Sequence, residues 1–316
     1  MSAVATLARK PWIWSFVAAG AVWLVTVLFT GGASAVGLTL AALTFSSFAV
    51  IVGTGQMLVI TLGPGNIDLS VPATMTLAGT LALKFMAVEN SLIVPGLLVA
   101  IAVGLAVGSV NYGLIKLLRI PPIIATLCMS FIVQSTAIWS NRGLRIKPPS
   151  ALADFATSGP FGIANIALVA LLITVIVWFL LERSLYGRWI TGIGQSMAAA
   201  RMAGVPVDGA RFLTYVICAV LAAIAGYLLA SFSGGAALNM GAEYLLMSIA
   251  VVVIGGTSVA GGFSNVPGIW GASLFMFLVV SMLNTYGLGA GFRMIMTGVI
   301  IIAVILLASR RGATLT

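Results

Sequence analysis

Long apolar segments dominate the chain, and short polar or glycine- and proline-rich breaks separate them. A helix that crosses the roughly 30 Å hydrocarbon core of a bilayer needs about 20 apolar residues, and most of these segments approach that length. The pattern predicts an all-α integral membrane protein of about ten transmembrane helices, within a range of eight to ten because two breaks are glycine-rich. The predicted spans cover residues 12–29, 38–62, 71–88, 92–115, 121–140, 163–181, 212–232, 244–262, 267–288 and 294–309.

Composition supports a membrane location for the whole chain. Of the 316 residues, 61% are hydrophobic and 7% are charged, with a mean hydropathy of +1.20. A soluble domain of this size carries about a quarter charged residues. Residues 1–316 are therefore predicted to form a single transmembrane domain with short cytoplasmic tails at 1–10 and 310–316. The stretch Pro11–Phe29 exceeds the usual signal-peptide core, so we expect a retained first helix.

The net charge of +9 indicates membrane orientation rather than nucleic-acid binding, because basic residues flank apolar spans and are retained in cytoplasmic loops. Ten spans with a cytoplasmic N-terminus place ten cations inside: Arg9, Lys10, Lys116, Arg119, Arg183, Arg188, Arg201, Arg211, Arg310 and Arg311. Four cations fall outside, namely Arg142, Arg145, Lys147 and Arg293, and Lys84 lies within a span. Both termini are predicted to be cytoplasmic.

The residue types that carry most catalysis and metal binding are scarce. The chain has no histidine and two cysteines, Cys128 and Cys218, each inside an apolar run where a small buried side chain is expected. Serine–histidine or cysteine–histidine catalysis and a His/Cys metal site are therefore unsupported. We predict a chain that is not an enzyme, with no catalytic residue and no metal site.

The longest predicted cytoplasmic loop runs over residues 182–211, between the predicted spans 163–181 and 212–232. Within it, Gln195–Ala203 consists of good helix formers, and Gly204 with Pro206 supplies a stop signal. The pattern predicts a short exposed helix. It is either a contact for a cytosolic partner or an ordinary interfacial helix.

Two glycine-rich breaks interrupt apolar stretches at Leu62–Pro72 (LGPGNIDLSVP) and Ile254–Gly268 (IGGTSVAGGFSNVPG). Each follows a run rich in Val and Ile and contains a proline near its end, so they resemble matching elements of two halves of the chain. Interrupted helices in matching positions indicate a translocation pathway, because non-helical backbone survives at membrane depth only inside protein or beside water. The alternative is that both are cytoplasmic turns.

Asp68 is the acidic side chain of the first break. A carboxylate inside a membrane is costly unless it faces a cavity, a partner or free backbone N–H groups. We expect Asp68 to act as the N-cap of the next helix, with direct substrate contact as the alternative. Other polar residues within spans are expected to join helices to one another: Gln56, Asn111, Gln134, Asn239 and Asn284.

Four ordered motifs carry a family resemblance. They are Gly65–Val71 (GNIDLSV), Arg119–Leu127 (RIPPIIATL), Gly187–Val207 (GRWITGIGQSMAAARMAGVPV) and Ile254–Gly262 (IGGTSVAGG). Together they resemble the membrane permease subunits of bacterial ribose, xylose and galactose type ABC importers. The resemblance extends from about residue 45 to the C-terminus.

The resemblance implies a multi-pass permease of the bacterial inner membrane that works as a pair of identical or paralogous subunits. A periplasmic sugar-binding protein delivers a monosaccharide, and a cytoplasmic ATPase with two nucleotide-binding cassettes, which holds ATP and Mg²⁺, drives transport. The family's coupling segment, which lies in a groove of the ATPase, matches the region of residues 195–205. The expected coupling residues are Gln195, Ser196, Ala199, Arg201, Met202, Gly204 and Val205.

The chain departs from the family pattern at two places. The family usually has an acidic residue near the start of the coupling segment, where this chain has Gln195, Ser196 and Met197. Pro64 and Asn66 stand where a shorter glycine pair is common, which indicates a subfamily or a paralogue. No Walker A pattern occurs in the chain, so ATP hydrolysis is expected on another subunit, and no cofactor is expected on this one.

The resemblance implies import of a monosaccharide or related polyol by alternating access, and the small number of charged groups within the spans fits an uncharged solute. Candidate residues of the substrate path are Asn66, Asp68, Ser70, Thr257, Ser258, Ser264 and Asn265. An ion-coupled secondary transporter of a small neutral solute is the alternative, and Asp68 would be its main ionisable group. A membrane-embedded enzyme is the third hypothesis, and it is disfavoured because the chain lacks paired carboxylates, histidine or a metal set within reach of one another.

Overall fold

A computed structural model of the chain describes residues 11–32, 34–141 and 146–287, together with 289, 291–292, 295–296, 298–299 and 302. Over these residues there are twelve α-helices and no β-strand, which agrees with the all-α prediction. The helices are α1 (Pro11–Phe29), α2 (Ala35–Thr61), α3 (Val71–Met86), α4 (Ile93–Leu117), α5 (Pro122–Ser140), α6 (Ser150–Thr157), α7 (Asn165–Arg183), α8 (Leu185–Gln195), α9 (Met197–Met202), α10 (Val207–Phe232), α11 (Tyr244–Ile254) and α12 (Val266–Thr285).

Seven of the helices in the described part are long and apolar enough to cross a membrane, namely α1, α2, α4, α5, α7, α10 and α12. Two shorter apolar helices, α3 and α11, adjoin the glycine-rich breaks. The predicted tails 1–10 and 310–316 lie outside the described residues, as does most of the predicted span 294–309. Arg142, Arg145 and Arg293 lie outside them too.

The predicted span 244–262 is wrong in its second half. Helix α11 ends at Ile254, and Gly256 has a left-handed backbone with φ of +85°. A left-handed residue cannot continue a right-handed helix, and glycine adopts that conformation at little cost. The 11 residues of α11 therefore extend only about 17 Å, roughly half of a bilayer core.

The predicted loop 182–211 is shorter and more helical than expected. Helix α7 continues to Arg183, and α10 already begins at Val207, so the connection spans 184–206. The expected single helix over Gln195–Ala203 is instead the end of α8 followed by the short α9, with a break at Ser196. Asp208 in the first turn of α10 complements the positive end of that helix.

Helices α2 and α10 form the centre of the bundle. Every residue from Ser46 to Leu62 is buried, and α10 packs against α2, α3 and α4. Small residues permit these contacts, since a Cβ at Gly104 or Gly108 of α4 would lie 2.6 Å from the α10 backbone. Close backbone approach through small residues four positions apart is a common way to pack helices in lipid.

The two ends of the bundle differ in charge. One end, which we call the basic end, holds the 118–121 turn, residues 184–206 and both glycine-rich breaks. Apart from the buried Asp68, its described charged residues are Lys116, Arg119, Arg183, Arg188, Arg201 and Arg211, with Glu182 and Asp208. The opposite end has two described cations and two acids, namely Lys84, Lys147, Glu89 and Asp154.

The predictions of burial for the two cysteines differ in outcome. Cys218 on α10 is buried as expected, whereas the prediction for Cys128 is wrong because its side chain is exposed on α5. The sequence pattern cannot distinguish the two, since α5 is apolar on both its inner and its outer face.

Candidate functional site

The first break, residues 62–70, is a compact turn between α2 and α3. Gly63 and Gly65 have φ of +114° and +78°, which lets the chain leave α2 and reverse. Pro64 and Gly65 are exposed, whereas Asn66, Asp68 and Ser70 are buried. The tip of the turn is therefore accessible, and its polar side chains face the protein.

Asp68, which is 1% exposed, is the centre of a buried polar cluster. Its Oδ1 accepts from the Ser70 backbone N–H at 2.9 Å and from the Ser70 hydroxyl at 2.6 Å. Asn111 of α4 donates to both carboxylate oxygens at 3.4 Å and to Ser70 Oγ at 2.8 Å. The prediction of Asp68 as N-cap is wrong, because Ser70 occupies that position. Asp68 instead closes an Asx turn immediately before α3.

Neighbouring helices satisfy the rest of this turn. The Gln56 side-chain amide of α2, oriented with its nitrogen toward the Asp68 carbonyl, pairs with the Asp68 backbone at 3.3 and 3.2 Å. On α5, Thr126 Oγ1 accepts from the Leu69 N–H at 3.0 Å. Asn66 Oδ1 accepts from Tyr215 of α10 at 3.1 Å. Non-helical backbone thus stays buried because side chains replace its helical hydrogen bonds.

The polar side chains expected to join helices to one another instead bond a helix to a non-helical segment in three cases. Gln56 and Asn111 bind the first break, and Gln134 of α5 donates to the Leu238 carbonyl at 2.7 Å. Asn239 is not in a span, since it lies in a turn between α10 and α11.

The second break, residues 255–265, is held mainly by its own residues. Asn265 donates from Nδ2 to the Gly255 carbonyl at 2.9 Å, and its backbone N–H donates to Thr257 Oγ1 at 3.2 Å. Thr257 and Asn265 are buried, whereas Ser258 and Ser264 are partly exposed. Within the described residues, the hydroxyls of these two serines form no hydrogen bond, so both remain available to a polar solute.

The two breaks meet each other at the end of α8. The Gly262 N–H donates to the Thr61 carbonyl at 2.9 Å, which links the second break to α2. A Cβ at Gly194 would overlap both the Thr61 oxygen and the Gly262 nitrogen, and a Cβ at Gly261 would overlap Gly63. We call the group of Gly63, Gly194, Gly261 and Gly262 the glycine contact.

Sequence reasoning missed the glycine contact, since it identified the two breaks but not α8 between them. A signal was present, because Gly192 and Gly194 stand in an amphipathic helix where glycine costs about 1 kcal/mol relative to alanine. Gly192 meets nothing within 4 Å, so only Gly194 is explained by close approach.

Helix α9 is a short, exposed element next to the glycine contact. Ser196 is its N-cap and accepts from the Ala199 N–H at 3.2 Å. At its end, Gly204 has φ of +78°, and the Val205 N–H donates to the Ala200 carbonyl at 3.1 Å, which is a Schellman motif. The predicted stop at Gly204 is therefore found where expected.

The surface of α9 is small and accessible. Met202 is 84% exposed, and Gln195, Ser196, Ala199, Arg201 and Gly204 are exposed as well, while Val205 is partly buried. A fully exposed methionine at the tip of a helix is an adaptable apolar contact. The segment thus offers one apolar side chain, one cation and small residues to anything that covers it.

Helix α8 is fixed to the bundle on its other side. The Tyr186 hydroxyl lies 2.8 Å from Thr214 Oγ1 of α10, and burial raises the pKa of this tyrosine, which stays neutral. The described residues contain no group of three or more His, Cys, Asp or Glu side chains that could hold a metal ion.

The chain matches the family model described as "Branched-chain amino acid transport system / permease component" over residues 38–306. It is 31% identical to the probable ABC transporter permease protein y4mJ of Sinorhizobium fredii over 285 residues, which is 86% of this chain and 85% of that protein. It is also similar to the ribose import permease protein RbsC of Escherichia coli, with 28% identity over 84% of each chain. A third relative, the autoinducer 2 import system permease protein LsrC of an Enterobacter species, is 30% identical over 89% of this chain and 84% of its own length.

Proposed function

The chain belongs to the family of ABC transport permease components defined by that model, and we propose that it imports a monosaccharide or related sugar or polyol across the bacterial inner membrane. In this proposal a periplasmic binding protein delivers the solute. A separate ATPase with two nucleotide-binding cassettes holds ATP and Mg²⁺ and drives the cycle, and the chain itself binds no cofactor.

Two observations favour a sugar over the branched-chain amino acids of the family description. The relatives with the names RbsC and LsrC are import permeases for ribose and autoinducer 2. A charged side chain is also one way to hold the charged groups of a zwitterionic amino acid, and in the described part of the bundle Asp68 is the only buried acid. The Asp68 carboxylate already accepts hydrogen bonds from Ser70 and Asn111, so it is not free to bind an ammonium group.

The orientation follows from the charge difference between the two ends of the bundle. Lysine and arginine in short loops are retained in the cytoplasm, so the basic end is the cytoplasmic end in this proposal. With that assignment the connection 184–206 faces the ATPase, and we propose a cytoplasmic location for both termini, which lie outside the described residues.

The observation that carries the proposal is that an exposed helix, α9, follows directly on a helix whose last turn touches both glycine-rich breaks. When the ATPase closes on ATP, it would move α9 and, through Gly194, the ends of α2, α3, α11 and α12. Gly194 packs directly on the backbones of Thr61 and Gly262, so a displacement of α8 would reach both breaks with little loss.

The predicted path residues take two roles in this mechanism. Most hold the breaks in shape, namely Asn66, Asp68, Ser70, Thr257 and Asn265. Ser258 and Ser264 are the ones proposed to meet the solute. A second permease copy or a paralogue completes the path.

The test is an affinity purification of the solubilised chain from its native host, with mass spectrometry of its partners. The test variant is the double substitution Ala199→Glu, Gly204→Pro, because proline cannot adopt the left-handed conformation of Gly204. The matched control is Ala199→Ser, Gly204→Asn, since asparagine tolerates that conformation.

The expected result is recovery of a two-cassette ATPase with the wild type and the control but not with the test variant. The same purification identifies any second permease. A chain that is recovered alone and transports solute in proteoliposomes without ATP contradicts the proposal and indicates an ion-coupled secondary transporter.

A further inference from the structure

A cavity of about 480 Å³ opens at the basic end, between the turn that follows α4 and the start of α10. It adjoins the first break through the hydrogen bond from Arg211 to Asn66, and it includes Arg201 of α9, but the mechanism proposed above assigns no ligand to it. Its charged lining consists of Lys116, Arg119, Arg201, Asp208 and Arg211.

The one acid in this lining is already neutralised. Asp208 forms an ion pair with Lys116, and it accepts a second hydrogen bond from the Tyr112 hydroxyl at 3.0 Å. The lining therefore has three guanidinium groups, none of which forms an ion pair within the described residues. Cations that line one cavity repel one another, so an anion in the cavity would stabilise the arrangement.

The three arginines are short of hydrogen-bond acceptors. In the described part of the chain, Arg119 and Arg201 are exposed and have no hydrogen-bond or ion-pair partner. Arg211 donates only to Asn66 Oδ1, at 3.4 Å, and lies 5.8 Å from the centre of the Tyr112 ring, while its Nε is buried and unpaired. Guanidinium groups prefer to bind phosphate and carboxylate oxygens in pairs.

Arg119 occupies its position in spite of backbone strain. Its φ of +54° lies in the left-handed region, which glycine and asparagine adopt more readily than arginine. Glycine or asparagine at position 119 would relieve the strain but would remove the positive charge from the cavity wall.

Exposed apolar side chains flank the lining residues in sequence, at the ends of two spans. Leu117 and Leu118 at the end of α4 are 80% and 62% exposed, and Ile123 and Ile124 in the first turn of α5 are exposed too. Apolar side chains at the ends of membrane helices contact lipid, and basic pockets between such helices bind anionic headgroups. A ligand that fits both surfaces has an anionic head and hydrocarbon chains.

We propose that this cavity binds the phosphate of an anionic phospholipid, with Arg119, Arg201 and Arg211 as its ligands. The lipid would join the α4–α5 turn to α9, because Arg201 is a residue of that short helix. The proposal needs only that the chain spans a membrane, so it can fail while the importer assignment holds.

The test is native mass spectrometry of the purified chain with phosphatidylglycerol or phosphatidylethanolamine added in detergent. The test variant is Arg119→Gln, Arg201→Gln, which leaves Arg211 and its contact with Asn66 intact. The control is Arg183→Gln, which removes an exposed cation at the same end but outside the cavity. Arg119→Lys, Arg201→Lys keeps the charges without the guanidinium geometry.

We expect phosphatidylglycerol to be retained over phosphatidylethanolamine, and each lost cation to weaken retention about fivefold, as expected for basic side chains near an anionic surface. The control should bind as the wild type does, and the lysine variant should bind better than the glutamine variant. Equal retention by the wild type and the glutamine variant overturns the site. If soluble glycerol 3-phosphate displaces the lipid at equal concentration, the cavity is a site for a free phosphate ester and the lipid proposal is wrong.

Discussion

The two glycine-rich breaks lie side by side but are held in different ways. The first, residues 62–70, is bonded to four helices through Gln56, Asn111, Thr126 and Tyr215. The second, residues 255–265, is closed by bonds within itself, and one backbone bond reaches from Gly262 to Thr61. The first break is therefore part of the bundle's fixed core, whereas the second can shift as a unit without losing its internal bonds.

This difference matters for transport because both breaks touch the end of α8. A displacement of α8 would move the first break less than the second, because more hydrogen bonds tie the first break to neighbouring helices. The second break also has the two serines whose hydroxyls are unbonded within the described part of the chain. In the proposed mechanism the first break is the anchor and the second is the part that moves.

The substitution with the largest expected effect is Gly194→Ala, at the glycine contact between the two breaks. Gly194→Ala places a methyl group against the Thr61 oxygen and the Gly262 nitrogen, so one of the three segments has to move. We expect a loss of about 3 kcal/mol in stability, since overpacking against backbone is costly, and loss of uptake. The measurements are the melting temperature in detergent and solute uptake by the assembled transporter in proteoliposomes.

Gly192→Ala is the control for this substitution. It lies two residues earlier in α8, and its added methyl group meets nothing within 4 Å. It should melt at or above the wild-type temperature, because alanine favours helix more than glycine. Equal behaviour of the two variants would mean that the breaks and α8 are not in close contact.

A second pair of substitutions compares how firmly each break is held. Asp68→Ala leaves the Ser70 N–H and the Ser70 hydroxyl without their acceptor, and Asn111 Nδ2 keeps only its bond to Ser70 Oγ. Asn265→Ala removes one side-chain bond, to Gly255. We expect losses of about 2–3 kcal/mol and about 1 kcal/mol respectively, from the cost of unpaired buried groups.

Thermal melting of the purified variants in detergent checks this order. Asp68→Asn retains an oxygen at the acceptor position and should fall between wild type and Asp68→Ala. If Asn265→Ala is the more damaging change, the assignment of the first break as the anchor is reversed.

The smallest expected effect comes from two tyrosine hydroxyls on α10. Tyr215 donates to Asn66 of the first break, and Tyr227 donates to the Ile93 carbonyl near the opposite end. Each Tyr→Phe change should cost about 1 kcal/mol, the net value of one hydrogen bond. Uptake should fall only with Tyr215→Phe, because only its hydrogen bond reaches the first break.

Uptake and melting temperature measured on both variants separate a local role from a general one. If Tyr227→Phe lowers uptake as much as Tyr215→Phe, the hydrogen bond to Asn66 has no special part in transport.

The sequence by itself determined that this protein lies in a lipid bilayer, that it is all-α, and where most of its helices lie. Runs of about 20 apolar residues can be stable only as membrane helices, and glycine and proline mark where those helices stop. The stop at Gly204 and the two breaks followed from local backbone preferences. Local chemistry also indicated a buried role for Asp68, although it assigned the N-cap to Asp68 instead of Ser70.

Tertiary structure alone decided which segments meet. Asn66 and Tyr215 are 149 residues apart in sequence, and nothing in the local pattern of either indicates the other. The same holds for Gly63, Gly194 and Gly261, because a glycine that permits close approach and a glycine that permits a turn look alike in sequence. The close packing of their backbones is a property of the tertiary structure alone. It brings the two breaks and α8 into one connected site.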